Sequence, residues 1–193
     1  MVQGQDYSQL ATVQPSRRIF PLFDPQWSGR VFSRGDVSHG RVQIVIRESV
    51  MDQIVAEARR ASSREIGGVV VGGYHEYNGL EFVLIEGAIA ARLAQSARLA
   101  VRFTHETWAA LEKDRSARWA ESRIVGWYHS HPQSGVYFSQ RDVFVHQSCF
   151  SLPWQVGIVV DPRAGELGFF SWQGSQVEPT GYHYLTDRLV IEP

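Results

Sequence analysis

Cysteine is almost absent from the chain, and long apolar runs are missing altogether. The single cysteine, Cys149, rules out a disulfide within the chain and favours a reducing compartment. The opening MVQGQDYSQL has neither the basic start nor the apolar stretch of a secretory signal, and no run approaches the roughly 18 apolar residues of a membrane span. A cytoplasmic protein without a membrane partner is therefore expected.

An excess of charge of either sign is also lacking. The 19 lysines and arginines nearly balance the 20 aspartates and glutamates, for a formal net charge of −1. Such a chain has no general electrostatic attraction to nucleic acid. No lysine and serine or threonine follow the glycines of GGVVVGG, so a phosphate-binding loop is not indicated. Nucleic acid is not an expected partner, and partners must be inferred from a site.

The chain has 193 residues, 44% of them hydrophobic, which is enough for one domain with a buried core. Residues 1–40 are rich in Gln, Ser, Gly, Pro and Arg and sustain no helical or strand period, which predicts an irregular N-terminal arm. Its aromatic residues are expected to pack either along the domain or onto a second subunit: Phe20, Phe23, Trp27 and Phe32. Residues 41–193 are predicted to form the domain itself.

Regular hydrophobic patterns begin at Val42. Strands are predicted at VQIVIR, GGVVVGGY, EFVLIEGAIA, RLAVRF, IVGWYHSH, PWQVGIVVDP and ELGFFSW, and helices at SVMDQIVAEARRA, THETWAALEKDRSARWA and SQRDVFVHQSCF. Ser49 is the predicted cap of the first helix, and Asn78 with Gly79 is a hairpin turn signal. Because strands outnumber the interspersed helices, the predicted fold class is α/β or α+β.

The stretch HSHPQSGVYFSQRD places His129 and His131 two residues apart on a predicted strand, where both face the same side. Asp142 completes a zinc site if the intervening loop turns the chain back, and three protein ligands leave a fourth position open for water. Two plainer interpretations remain. The histidines fit an ordinary polar pair on a sheet, and SQRD fits a capping box in which Ser139 caps the helix and Asp142 reaches back.

This stretch resembles the JAMM motif of the MPN+ metalloproteases, which reads HSHP or HTHP, six residues, then SxxD. The family motif also has a glutamate upstream, just before a strand containing glycines, and Glu65 opens EIGGVVVGGY in that place. The resemblance covers roughly residues 42–172. It implies an MPN/JAMM-type curved mixed β-sheet flanked by helices, with residues 41–193 as the catalytic domain.

The resemblance also implies roles for the motif residues. One Zn²⁺ per chain, held by His129, His131 and Asp142, would lower the pKa of its water and polarise a scissile carbonyl. Glu65 would act as general base and then as general acid, and Ser139 would donate a hydrogen bond to the developing oxyanion. The alternative for Glu65 is an ordinary solvated charge after a helix.

Members of that family cleave the bond after the C-terminal Gly-Gly of ubiquitin or a ubiquitin-like protein, commonly an isopeptide to lysine. A ubiquitin-like substrate, and proteins of a conjugation pathway as partners, are therefore implied. Gly67 and Gly68 are candidate substrate contacts, with local bulges in a packed sheet as the alternative. Arg98 and Arg102 correspond to a family insertion that contacts the tail.

The segment SCFSLPWQ alone separates the last predicted helix from the next strand, which is typical of compact prokaryotic members of that family. Two rival functions remain open at this stage. One is a catalytically inert MPN scaffold, which usually lacks ligand residues. The other is a protease that trims a ubiquitin-like or sulfur-carrier precursor.

Overall fold

A computed structural model describes residues 13–27, 30–38, 40–61, 63–92, 103–132 and 134–186. Within these residues ten strands form one mixed sheet. The strands are β1 Ser16–Arg17, β2 Val31–Arg34, β3 Gln43–Arg47, β4 Gly67–Tyr77, β5 Leu80–Ala90, β6 Arg123–Ser130, β7 Val156–Asp161, β8 Glu166–Gln173, β9 Gln176–Thr180 and β10 Tyr182–Leu185. The helices are α1 Glu48–Arg60, α2 His105–Arg118 and α3 Gln140–Cys149. The predicted fold class, a mixed sheet flanked by helices, is confirmed.

The sheet runs in the order β2-β10-β3-β5-β4-β6-β7-β8-β9, and β1 pairs with the end of β4 that lies beyond β6. The long hairpin of β4 and β5 forms its centre, and β6 pairs antiparallel with β4 but parallel with β7. Asn78 and Gly79 have φ angles of 52° and 83° at the hairpin tip. A two-residue type I′ turn requires positive φ at both positions, so the predicted turn is confirmed.

The helices lie on both faces of the sheet. Helix α1 packs Val50, Ile54 and Ala58, which share one helical face, into the larger core cluster together with Tyr128 of β6. Helices α2 and α3 cover the opposite face, where Trp127 is buried. Because neighbouring strand residues point to opposite faces, β6 sends Tyr128 toward α1 and Trp127 toward α2 and α3. None of the described helices is long and apolar enough to cross a lipid bilayer.

Within its described residues, 13–27 and 30–38, the N-terminal arm packs against the sheet. Phe20 is buried, with its ring in edge-to-face contact with Phe82 of β5 and His183 of β10. Phe23, by contrast, is 61% exposed. No strand is predicted in the arm, yet the structure places β1 and β2 there. Two and four residues are too few to show an alternation of period two, which explains the difference.

Two further differences separate the prediction from the structure, and one predicted strand is not tested by it. Ser49 is not the cap of α1: the helix follows β3 directly, Arg47 is the N-cap residue without a side-chain cap, and Ser49 lies within the first turn. Strands β9 and β10 were not predicted, since β9 contains Pro179 and β10 has only four residues. The predicted strand RLAVRF lies outside the described residues except for Phe103, which is not in a strand.

Candidate metal centre

The histidine pair lies where β6 ends. His129 is paired with Gly67 of β4 on one side and Val159 of β7 on the other, so its backbone is fixed by two neighbouring strands. His131 follows the last strand residue, and its N–H still donates to the Val160 carbonyl at 3.0 Å. The extended backbone therefore continues through both residues. Both imidazoles are buried, with 2% and 5% exposure.

The loop after His131 returns the chain to this pair, and α3 begins with a capping box. Ser139 Oγ accepts from the Asp142 N–H at 3.3 Å, and the Ser139 N–H donates to Asp142 Oδ2 at 2.7 Å. The cap and the proposed ligand are thus compatible interpretations of the same residues. The cap orients the Asp142 carboxylate so that it faces the two histidines.

The three donor groups converge on one point. His129 Nε2 lies 3.0 Å from His131 Nε2 and 3.1 Å from Asp142 Oδ1, and His131 Nε2 lies 3.4 Å from Asp142 Oδ2. Ligand atoms of a tetrahedral zinc site, each about 2.0 Å from the metal, lie roughly 3.3 Å apart. His129, His131 and Asp142 could therefore hold a metal ion in the positions they already occupy.

The charge states of His129 and Asp142 also suit zinc. Burial lowers the pKa of His129, opposed by the neighbouring Asp142, which favours the neutral imidazole that binds metals. Burial alone would raise the pKa of Asp142, but hydrogen bonds from His129, His131 and Ser139 hold it well below its usual range. Two imidazoles and one carboxylate are a donor set found in catalytic zinc sites.

Glu65 lies beside this cluster. The Ile66 N–H donates to Ser130 Oγ at 3.0 Å, and the Ser130 N–H donates to the Ile66 carbonyl at 2.9 Å. This double link holds the residue before β4 next to the end of β6. Burial raises the pKa of Glu65, and the nearby charges of His131, Asp142 and Arg141 act on the same carboxyl. The structure therefore brings Glu65 and Ser139 together with the three predicted ligands.

Aromatic side chains enclose the histidines. The Trp127 ring stacks on His129 at 4.5 Å and 10°, and the Tyr137 ring lies 4.7 Å from His131. Trp127 Nε1 donates to His146 Nδ1 at 3.0 Å. Trp127, Tyr137 and His146 were not predicted from the sequence as site residues. Their spacing contains the signal, because Trp127 shares the strand face of His129 and His146 lies one helical turn after Asp142.

Two glycines in neighbouring strands of the sheet leave room for the loop between His131 and Ser139. A Cβ at Gly157 of β7 would overlap the ring of Phe138, and a Cβ at Gly168 of β8 would overlap Val136. Phe138 also stacks on Phe170 with ring centroids 4.3 Å apart. Phe138 and Val136 therefore fix the loop to the sheet, because they occupy the space that side chains at Gly157 and Gly168 would take.

Replacing Gly157 with alanine is expected to displace Phe138, lower stability by about 1–3 kcal/mol and weaken metal binding, because Ser139 follows Phe138 directly. Thermal unfolding and zinc competition against a chromophoric chelator measure the two effects. Gly174→Ala is the control: Gly174 has φ +62 but nothing within 4 Å of its Cβ position. Gly174→Ala should lower stability without changing zinc affinity. Unchanged zinc affinity in Gly157→Ala would contradict the inference that Gly157 helps to position the loop before Ser139.

The remaining predicted site residues are Gly67, Gly68, Arg98 and Arg102. Gly67 and Gly68 are buried in β4, and a Cβ at Gly68 would overlap the Ile89 carbonyl and the Tyr128 ring. Packing within the sheet accounts for this glycine, whereas the register shift of β4 against β5 lies further along the strand, at Val71/Gly72. Substrate contact at Gly67 or Gly68 stays a prediction. Arg98 and Arg102 lie outside the described residues.

The chain belongs to the family described as prokaryotic homologs of the JAB domain, which matches residues 47–172. This confirms the JAMM/MPN+ resemblance, and family membership supports a hydrolase role. The NAD(+) hydrolase TcpA of a Theionarchaea archaeon (strain DG-70-1) is 29% identical over 119 residues. That match covers 61% of this chain but only 33% of the relative, so the chain spans about a third of its length.

Among solved structures, the solution structure of a protein from Desulfitobacterium hafniense is similar to this chain with a TM-score of 0.54. The two share 18% identity, and the match covers 77% of this chain and 96% of the other. At this identity the similarity shows a shared fold and gives no evidence of a shared activity.

Proposed function

We propose that the chain is a zinc-dependent peptidase that hydrolyses the bond after the C-terminal Gly-Gly of a ubiquitin-like protein. The observation that carries this proposal is the buried set of His129, His131 and Asp142, whose donor atoms lie 3.0 to 3.4 Å apart with Glu65 beside them. A scaffold that binds no metal has no need to hold two imidazoles and a carboxylate together away from water.

The donor set would hold zinc through His129 Nε2, His131 Nε2 and the Asp142 carboxylate. When bound, zinc supplies the positive charge that acidifies a water molecule and polarises the scissile carbonyl. The protein's own groups then move the proton. Glu65 would accept it from the attacking water and donate it to the leaving amine, a role that suits a carboxyl whose pKa is raised by burial.

Ser139 is the candidate donor to the developing oxyanion. Its Oγ accepts from the Asp142 N–H in the capping box, and a serine hydroxyl has one proton in addition to its acceptor sites. The cap therefore leaves the hydroxyl proton for a second hydrogen bond. Ser139→Ala removes the hydroxyl and would therefore take away both the cap and this donor.

The substrate class follows from the family resemblance, whose members act on Gly-Gly tails. A glycine-ended tail presents backbone without bulky side chains, which suits a site where the Tyr137 ring packs 4.7 Å from His131. Isopeptide cleavage and trimming of a precursor use the same chemistry and differ in the leaving amine. Both therefore belong to one proposal, and the products distinguish them.

The test incubates the zinc-loaded chain with ubiquitin-like domains, including those of its own genome, that end in Gly-Gly. Each is joined either to a short peptide or to a lysine side chain. Intact-mass measurement should find a product that ends at Gly-Gly, and the preferred substrate assigns trimming or deconjugation. Failure to cut any of them would overturn the proposal. NAD⁺ is assayed alongside, because the archaeal relative is named for its hydrolysis, and release of nicotinamide without peptide cleavage would also overturn it.

A further inference from the structure

The orientation of the ligand His129 poses a physical question. A histidine that binds metal usually donates its other ring N–H to a carboxylate or a carbonyl, which fixes the plane of the ring. Nδ1 of His129 and Nδ1 of His131 are buried, and neither has a hydrogen-bond partner among the described residues. Some other contact must hold the His129 ring in its ligating orientation.

Trp127 supplies that contact. Its indole lies parallel to the His129 imidazole, with centroids 4.5 Å apart and planes 10° apart, and it is 1% exposed. A flat ring packed against the imidazole face opposes rotation of His129 about its Cβ–Cγ bond. The indole can restrain the His129 ring only if the orientation of the indole is itself fixed.

His146 fixes the indole. Trp127 Nε1 donates to His146 Nδ1 at 3.0 Å, and His146 is fully buried against Phe150 and Trp172. The bond requires an imidazole nitrogen with a free lone pair, and burial lowers the pKa of His146 to about 4, so the ring is neutral at physiological pH. The indole N–H would otherwise be buried without an acceptor, which is costly.

The two contacts form parallel links between β6 and α3. Trp127 and His129 are two residues apart on the strand, a spacing of about 6.6 Å. His146 and Asp142 are four residues apart on the helix, a rise of about 6 Å. The near-equal spacings let the strand and the helix meet twice, through His129 with Asp142 at 3.1 Å and Trp127 with His146 at 3.0 Å.

We propose that Trp127 and His146 are positioning residues for the metal site: their hydrogen bond orients His129 and holds α3 in the register that presents Asp142. This hydrogen-bonded pair, which we call the brace, touches neither metal nor substrate and acts through the ligands. This inference rests on the metal site of the proposed function and is independent of its substrate.

Three variants of the full chain test the brace. His146→Leu has a similar volume but removes the acceptor, whereas His146→Asn loses volume but places an amide oxygen near the Nδ1 position. Trp127→Phe keeps a ring on His129 and removes the donor. If the hydrogen bond positions the site, zinc affinity should fall about tenfold or more in His146→Leu and Trp127→Phe, while His146→Asn stays closer to the wild type. A role in packing alone predicts the opposite order for the two His146 variants.

Zinc affinity is measured by chelator competition at a temperature where thermal unfolding shows every variant to be folded. The absorption spectrum of the cobalt-loaded protein reports ligand geometry. His183→Leu is the matched control, since His183 is also buried and hydrogen-bonded, to Ser33 and Gln43 far from the site, and should lower stability alone. The double variant Trp127→Phe/His146→Leu should be no weaker in zinc binding than the weaker single variant, because both singles break the same bond.

The outcomes separate the two proposals. A wild type that binds zinc, with variants whose affinity and cobalt spectrum match it, would overturn the brace and leave the proposed function intact. If His146→Leu fails to fold, the comparison of Trp127→Phe with His146→Asn decides, because only Trp127→Phe loses the hydrogen bond. A wild type that takes up no zinc would remove both proposals. Zinc uptake without cleavage of any ubiquitin-like substrate would contradict only the proposed activity and would not affect the inference about the brace.

Discussion

Replacing His129 with alanine is expected to abolish zinc binding. The wild type should carry about one zinc per chain, because two imidazoles and one carboxylate converge with a spacing that suits a tetrahedral site. Removing one of three protein ligands leaves two, which is below the number found in catalytic zinc sites. Elemental analysis after chelation, reloading and desalting measures the stoichiometry.

The same experiment has a thermodynamic readout. Zinc that binds only the folded chain stabilises it by about 2.7 kcal/mol at a free concentration one hundred times its dissociation constant. A chelator should therefore lower the unfolding temperature of the wild type and leave that of His129→Ala unchanged. His75→Ala is the control, since His75 is buried at the far end of β4 and hydrogen-bonded to Ser16 in β1. It should keep both the zinc and the response to the chelator.

A wild type that holds no zinc and accepts none would contradict this prediction. His129, His131 and Asp142 would then be a polar cluster joined by hydrogen bonds, and the scaffold interpretation would be favoured. A retained zinc in His129→Ala would show that the metal is bound elsewhere. Either result would remove the basis for a hydrolytic mechanism at this site.

The candidate site could be predicted from sequence because its parts are local. Two histidines with period two on one strand, and a capping box at the start of one helix, need only short-range rules. The convergence of Asp142 on the histidines is not local. It depends on Gly157 and Gly168, which lie on strands after the loop and leave room for Phe138 and Val136. No spacing within HSHPQSGVYFSQRD contains that information.

The parts of the fold that escaped prediction depend on distant pairing. Strand β10 is inserted between β2 and β3, so its four residues are held by partners 138 to 154 positions earlier in the chain. Strand β1 consists of two residues that pair with His75 and Glu76. Such segments have little intrinsic preference and become strands because a sheet edge satisfies their backbone groups. The prediction of Ser49 as a cap was wrong for a local reason: β3 continues directly into α1 without an intervening turn, so the helix begins before Ser49.

Glu65→Gln is expected to leave zinc bound and to lower kcat by about 10²–10⁴-fold, the usual contribution of a general acid or base. Glutamine has nearly the same shape as glutamate, so the link between Ile66 and Ser130 and the packing beside His131 should persist. What disappears is a group that can accept a proton and return it. The measurement is single-turnover cleavage of the ubiquitin-like substrate that intact-mass measurement identifies, with zinc content determined on the same sample.

The chain offers a closely matched control for Glu65→Gln. Glu57 on α1 is also partly buried, burial also raises its pKa, and its Oε2 accepts from Tyr128 Oη at 2.7 Å. Tyr128 points away from the face that carries Trp127, toward α1, so Glu57 lies on the other side of the sheet from the cluster. Glu57→Gln keeps an acceptor for Tyr128 and should retain wild-type turnover. If instead Glu65→Gln keeps wild-type turnover, the proton must be carried by another group. If both variants lose turnover alike, the loss reflects a disturbed sheet, because Glu57 can affect the metal site only through the fold.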